Sequence, residues 1–417
     1  MEPDSLANIT TTLRDYKPEL LPLSQASEFI ERLLLPPRER EVVHLSRALG
    51  RVLSCDVVAG VPLPLYDTAG VEGYALRGEE LELDAPTRFV IADPSWAGDA
   101  QGALLPLRHC LRIGQGEPLP RGFDTVAPFN ALSDEGDSIV IPAQVVHAGD
   151  FRRVAGHDMP LGGVAIPAGR QLRAVELALL ASLRIEKISV WRKLRVGVIA
   201  TGKNPQANRC ALQALLHRLG FELVDLGAVE MEVDTLFDAF RHGARRADAI
   251  VCAGGLEYGD LDDASDLMQR VLADLGQVQH WNLALSPGGR MAVGRIGDFT
   301  APALLFALPD DPAAMISTFY ALVREALLRM SGTTPGRLPM VRARCLNSLR
   351  KPRGRTEYKS GTVRREGRCW VVEATTAPGA STLGSMSNAN GVIVLVHDQG
   401  DVRAGDFVSV LPFDGLA

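Results

Sequence analysis

The sequence predicts a multidomain α/β protein built around a parallel-sheet α/β/α domain. Three observations predict it. Between Leu194 and Gly332, short apolar runs alternate with helical segments. Ahead of them, from Val61 to about Val154, apolar runs such as Phe89-Val90-Ile91 are broken by Gly, Pro and Asp, the texture of a β-rich domain with many turns. Behind them, after Gly332-Thr333-Thr334-Pro335, four runs alternate with period 2 and predict a small all-β domain. The length of 417 residues suits roughly three domains of about 150 residues each.

Taken in order, the first residues are polar. Ser24 then caps a predicted helix whose apolar positions Phe29, Ile30, Leu33 and Leu34 share one face, with Pro36-Pro37 as its stop. The β-rich stretch follows, with Ser138–Ile141 as a second clear strand, and then a helix over Ala174–Leu183. In the central domain, strand Leu194–Ala200 ends at Thr201-Gly202. A helix marked by Ala211, Leu215 and Leu219 stops at Gly220, as a C-terminal cap would. Strand Phe221–Leu226, helix Thr235–Arg246, strand Ala249–Ala253, the turn Gly254-Gly255 and helix Ala264–Leu275 continue the alternation. Ligands of such sheets bind beyond the carboxyl ends of the strands, at Thr201-Gly202, Gly254–Asp263 and Pro309–Pro312. The terminal domain is predicted from strands Val341–Cys345, Cys369–Glu373, Val392–Val396 and Phe407–Leu411.

Composition narrows the function. With 46% hydrophobic and 23% charged residues the chain is globular, and 44 Lys+Arg against 50 Asp+Glu gives a net charge of −6. That balance offers no argument for a nucleic-acid partner or an anionic membrane. The apolar runs are far shorter than the ~20 residues of a membrane helix. Residues 1–20 are too charged for a signal peptide, so a cytoplasmic location is expected. The six cysteines, Cys55, Cys110, Cys210, Cys252, Cys345 and Cys369, form no C-x-x-C pair and predict free thiols rather than a zinc or iron–sulfur site.

Each candidate motif has a chemical and a purely structural reading. In Asp67-Thr68-Ala69-Gly70-Val71-Glu72-Gly73-Tyr74-Ala75, one loop can present two carboxylates, or an Asp-Thr turn can simply lead into a strand. In Gly254-Gly255-Leu256-Glu257-Tyr258-Gly259-Asp260-Leu261-Asp262-Asp263, glycines at a strand end let backbone N–H groups approach a ligand, and Asp260 and Asp262 can hold Mg²⁺. Asp262 or Asp263 can instead cap the next helix; Asp263 reads rather as that cap, while spacing alone leaves Asp260 and Asp262 open between the two roles. Ser286-Pro287-Gly288-Gly289-Arg290 is a turn between strands, where Arg290 can meet an anion but reads rather as a solvated turn residue. Pro309-Asp310-Asp311-Pro312 opens a helix ending near Arg329, and both acids complement its dipole. They also fill with negative charge a terminus otherwise suited to phosphate.

With these pieces placed, the chain resembles the molybdopterin molybdenumtransferase family, that of MoeA and the E domain of gephyrin. Four stretches carry the resemblance: Asp67–Ala75; Arg153–Asp158 with Pro167-Ala168-Gly169; Arg195–Gly202 with Gly254–Asp262; and Gly354–Val363 with Ser381–Leu395. It implies a segmented N-terminal domain over 20–60 and 155–188, an inserted β-rich domain over 61–154, a MoaB/MogA-like molybdopterin-binding domain over 189–332 and a β-barrel over 336–417. It further implies a homodimer, other molybdenum cofactor biosynthesis proteins as partners, and exchange of AMP on adenylylated molybdopterin for molybdate with Mg²⁺. Carried over by motif, Asp67, Glu72 and Asp158 would be catalytic, with Glu72 of the partner subunit helping to place molybdate. Molybdopterin would lie against Thr201, Gly202, Gly254, Gly255, Gly259, Pro309 and Pro312, and Mg²⁺ at Asp260 and Asp262.

The motifs depart from the family pattern at several positions, and the lost lysines and gained acids among them share a direction. Ala69 stands for a serine, Glu72 for an aspartate, Gln115 for a threonine and Asn204 for a glutamate, and the loop after Thr201 is shortened. Ser286 and Gly289 replace two lysines, while Glu257, Asp310 and Asp311 add acid where the family is neutral. Two lost cationic contacts forgo about 1.5–3 kcal/mol each toward a polyanionic substrate. The expectation is therefore an impaired anion site, with a non-catalytic binding or scaffold paralogue as the alternative. It includes a partial recovery of affinity in the four-fold variant Asp310→Gly, Asp311→Asn, Ser286→Lys and Gly289→Lys.

Overall fold

The computed structural model describes residues 20–36, 39–93, 106–256, 264–298, 300–334, 338–375 and 383–413, with backbone only at 264–266. The chain forms two compact units, Val42–Val190 and the remainder, which joins the N-terminal residues to Trp191–Ala417.

The N-terminal residues contribute helix α1, Leu23–Leu33, which buries Phe29, Ile30 and Leu33. Its cap is Pro22, with no side-chain hydrogen bond; Ser24 lies one residue inside the helix instead of capping it. The chain turns extended at Leu34, ahead of Pro36.

In the unit 42–190, strands β1 (Gly73–Leu76), β2 (Thr87–Ile91), β3 (His109–Ile113), β4 (Thr125–Pro128), β5 (Ser133–Asp134) and β6 (Ser138–Ile141) form one sheet, ordered β4-β1-β3-β2-β6-β5. Alternation sends Ala75, Leu111 and Val126 to one small core and Tyr74, Leu76, Phe89 and Ile139 to another. A third core gathers Ala48 and Leu53 from before this sheet with Leu172, Leu180 and Val190 from after it, around helix α2, Ala174–Ser182. The six-stranded sheet is thus an insertion in a domain made from two chain segments.

The other unit holds the parallel-sheet domain. Its elements are β7 (Arg195–Ala200), α3 (Pro205–Arg218), β8 (Glu222–Ala228), α4 (Val233–Arg246), β9 (Ala249–Ala253), α5 (Ala264–Leu275), β10 (Gly276–Asn282), β11 (Leu285–Ser286), β12 (Arg290–Ile296), β13 (Ala303–Leu308) and α6 (Pro312–Thr318). A π-helical turn, Phe319–Val323, joins α6 to α7, Arg324–Met330. The sheet order is β8-β7-β9-β13-β12-β10. Its first four strands are parallel; β12 pairs antiparallel with both β13 and β10, so the sheet is mixed. Every residue of β9 and β13 is buried, as expected of strands covered on both faces. Ala249, Val251 and Ala253 meet α3 and α6 on one face, and Ile250 and Cys252 meet α4 and α5 on the other. Helix α3 starts earlier than its apolar spacing predicts, and it buries Asn208, Leu212 and Leu216; Ala211, Leu215 and Leu219 lie on its flank.

The C-terminal strands β14 (Val341–Cys345), β15 (Thr356–Glu366), β16 (Cys369–Ala374), β17 (Gly391–Leu395) and β18 (Phe407–Pro412), with a short helix α8 (Leu383–Ser387), close into a barrel ordered β15-β16-β14-β18-β17, with β17 returning to β15. Strand β11 pairs in parallel with the start of β15, through Leu285↔Thr356 and Ser286↔Glu357, and so stitches the sheet domain to the barrel. Among the described residues no helix is long and apolar enough to cross a membrane.

Candidate functional site

Three loops converge where the parallel strands β7, β9 and β13 end. The Thr201 amide donates to Ala253 O at 2.9 Å and the Gly254 amide to Leu308 O at 3.0 Å, tying the three strand ends together. Glycine is required here. Gly254 adopts φ +100°, and a Cβ on it would lie 2.1 Å from Thr201 O; Gly255 adopts φ +80°, and its Cβ would lie 2.5 Å from Met268 Cε. The structure therefore brings Thr201, Gly202, Gly254, Gly255, Pro309 and Pro312 to one end of the sheet. Gly259, Asp260, Asp262 and Glu257 lie outside the described residues. Among the described residues no group of three or more His, Cys, Asp or Glu side chains gathers as a metal site needs.

Asp310 fills the centre of this region. Its carboxylate is buried, with 4% of the residue exposed. Oδ2 accepts from the Lys203 amide at 2.8 Å; Oδ1 accepts from the Asn204 amide at 3.3 Å and from Asn208 Nδ2 at 3.2 Å. Asn208 Nδ2 also donates to the main-chain carbonyl of Asp310 at 2.7 Å. Gly202, at φ +86°, brings the loop so close that a Cβ there would stand 2.9 Å from Asp310 Oδ2. Thr201 Oγ1 and Asn208 Oδ1 are buried without a hydrogen-bond partner.

The two neighbouring acids do different things. Asp311 is exposed and caps α6, accepting from the Ala314 amide at 2.9 Å. Asp310 turns away from that helix to the entrance of α3. The expectation that both acids serve one helix dipole is thus corrected: a carboxylate cannot cap α6 and close the Gly202–Asn204 loop at once. Arg290 is no solvated turn residue either, because it is half-buried and donates to Leu256 O at 3.0 Å. The opposite end of the sheet is closed by an ion pair in which Arg192 donates two bonds, of 3.1 and 3.0 Å, to Asp248. The cavity beside that pair, about 20 Å³, is the size of one water.

In the unit 42–190, Asp67 accepts from the Ala155 amide at 2.7 Å and from Arg152 Nε at 2.8 Å. The Ala155 amide, with the Arg152 guanidinium, holds its carboxyl below the ordinary range against the opposing effect of burial. Asp158 pairs with Arg153, whose hydrogen bond lowers its carboxyl in the same way. The Asp67 carboxylate knits that residue to Arg152 and Ala155, and the Leu63 amide, which donates to Met159 O at 2.8 Å, adds a second link; the Asp158 carboxylate pairs within its own segment. Glu72 is exposed, and Gln115 Nε2 donates to Gly70 O at 3.1 Å.

Sequence reasoning missed Asn208 and the inward turn of Asp310. The available signal was an asparagine standing among the apolar positions of α3, where only a buried partner satisfies it.

Comparison with known proteins covers nearly the whole chain. Residues 21–183 match the description "MoeA N-terminal region (domain I and II)", 189–329 "Probable molybdopterin binding domain" and 342–413 "MoeA C-terminal region (domain IV)". The molybdopterin molybdenumtransferase of Haemophilus influenzae is 28% identical over 414 residues, covering 95% of this chain and all of the relative. That of Nostoc is 26% identical, covering 90% and 89%. Gephyrin of Dictyostelium discoideum is 23% identical, over 89% of this chain and 59% of its own length. Two solved structures of the Pyrococcus horikoshii MoeA protein superpose with TM-scores of 0.77 and 0.70, at 21% and 25% identity, each over 95% of this chain and the whole of the other.

Proposed function

The chain belongs to the molybdopterin molybdenumtransferase (MoeA) family, and from that premise we propose that it is a MoeA-type protein of molybdenum cofactor biosynthesis in which insertion of molybdate is impaired. The continuous match of all three family regions along one chain supports the role. The family reaction joins molybdate to adenylylated molybdopterin with release of AMP. On this reading the pterin nucleotide lies across Thr201, Gly202, Gly254, Gly255 and Gly259, between Pro309 and Pro312. Asp260 and Asp262, carboxylates suited to an oxygen-liganded dication, hold Mg²⁺, and Asp67, Glu72 and Asp158 serve the chemistry. The protein acts in the cytoplasm as a homodimer.

The impairment rests on one observation: the buried Asp310 carboxylate already takes the loop N–H groups that a ligand's anion would need. The lysines that the family places at Ser286 and Gly289 are not there to compensate. The same observation favours the alternative, a non-catalytic paralogue serving as a binding or scaffold subunit. Complementation of a strain lacking molybdenum insertion separates the readings through nitrate reductase activity. A small fraction of normal activity is expected; full activity removes the impairment, and none leaves the binding role. Sedimentation equilibrium at micromolar concentration should show the dimer, and a species of 44.9 kDa alone would remove that part.

A further inference from the structure

We propose that Gly202–Asn204 and Asn208 form a cradle for a small oxyanion, and that Asp310 is its resident occupant, a selectivity element that keeps external anions out. The inference rests on reading the strand ends as the ligand site. Two consecutive backbone amides and one side-chain amide converge on a single carboxylate, the donor set of an anion nest. The left-handed Gly202 brings the loop up to that carboxylate. None of these donors belongs to the helix that Asp311 caps, so Asp310 is not held there by the ordinary need of its own helix.

Chemistry dictates the consequence. An external oxyanion can bind these donors only by displacing Asp310, which would leave a carboxylate in a buried place without its three partners. The native cradle is therefore closed to phosphate, molybdate or carboxylate. Truncation of Asp310 opens it and leaves a hole the size of a formate ion lined by the same donors.

The test is anion-specific rescue in the full chain. Asp310→Ala should melt below the native protein. Sodium formate should then raise its melting temperature by about 2–4 °C more than sodium chloride at equal ionic strength. The native protein should respond equally to both salts. The proposal falls if folded Asp310→Ala gains nothing specific from formate, or if the native protein gains as much as the variant. Should Asp310→Ala fail to fold, amide hydrogen exchange decides: Lys203 and Asn204 should be protected in the native protein, unchanged by inorganic phosphate, and faster in the isosteric Asp310→Asn. Unprotected native amides, or protection that phosphate increases, would overturn it. Neither readout involves turnover. Full complementation with intact formate rescue would sink the impairment alone, and weak complementation without rescue would sink the cradle alone.

Discussion

Gly254 has no room for a side chain, because Thr201 O stands where a Cβ would go and φ is left-handed. Gly254→Ala should cost about 2–4 kcal/mol, read as a lower urea midpoint with unchanged slope. A similar argument revises the four-fold reversal. Gly289 adopts φ +125°, so Gly289→Lys should lose stability, about 1–3 kcal/mol, before any gain in charge is felt. Ser286→Lys, at a half-buried strand position without a positive φ, is the cleaner probe of added positive charge. Asp67 makes a pH prediction. Its folded carboxyl titrates below the unfolded value near ~3.9, so its contribution is complete above that value and lost as pH falls through the lower, folded one. Asp67→Asn should destabilise the protein by about 1–2 kcal/mol at pH 7 and flatten the acid limb of a stability–pH curve.

At the level of elements, the two acids before α6 should part company on mutation. Asp311→Ala removes one cap and should cost about 1 kcal/mol. Asp310→Ala removes three bonds to groups that stay behind, so its thermal midpoint should fall further than that of Asp311→Ala. The strands that carry these loops were legible in the sequence because β7, β9 and β13 are nearly unbroken apolar runs. Strand β15 was not. It reads Thr-Glu-Tyr-Lys-Ser-Gly-Thr-Val-Arg-Arg-Glu, and three of its buried residues, Thr356, Glu357 and Ser360, are polar. Glu357 is tolerated there because Arg355 and Lys359 each reach it at 2.8 Å, a pairing that no hydropathy pattern reveals. Within the candidate site, positions fixed by backbone shape, such as Gly254 and Gly255, could be read from motif and placement. The partner of Asp310 could not, since it depends on how a loop folds back across 107 residues of chain.

Taken whole, the molecule has separate hydrophobic cores in the unit 42–190 and in the remainder, so calorimetry should resolve more than one unfolding transition. Within the larger unit the opposite holds, because the sheet domain and the barrel share the β11–β15 pairing, the Thr356 amide bond to Ala284 O at 2.8 Å, and the packing of Tyr320 near Phe413 with ring centroids 6.4 Å apart. That seam bears on how the protein can be taken apart. A fragment that stops near residue 332 keeps every strand of the mixed sheet yet bares the backbone of Leu285–Ser286 and the side of Tyr320 that faces Phe413. An unpaired strand edge invites other chains to add themselves to it. Such a fragment should precipitate at concentrations where the full chain remains clear, which makes the barrel a guard against aggregation as much as a domain in its own right.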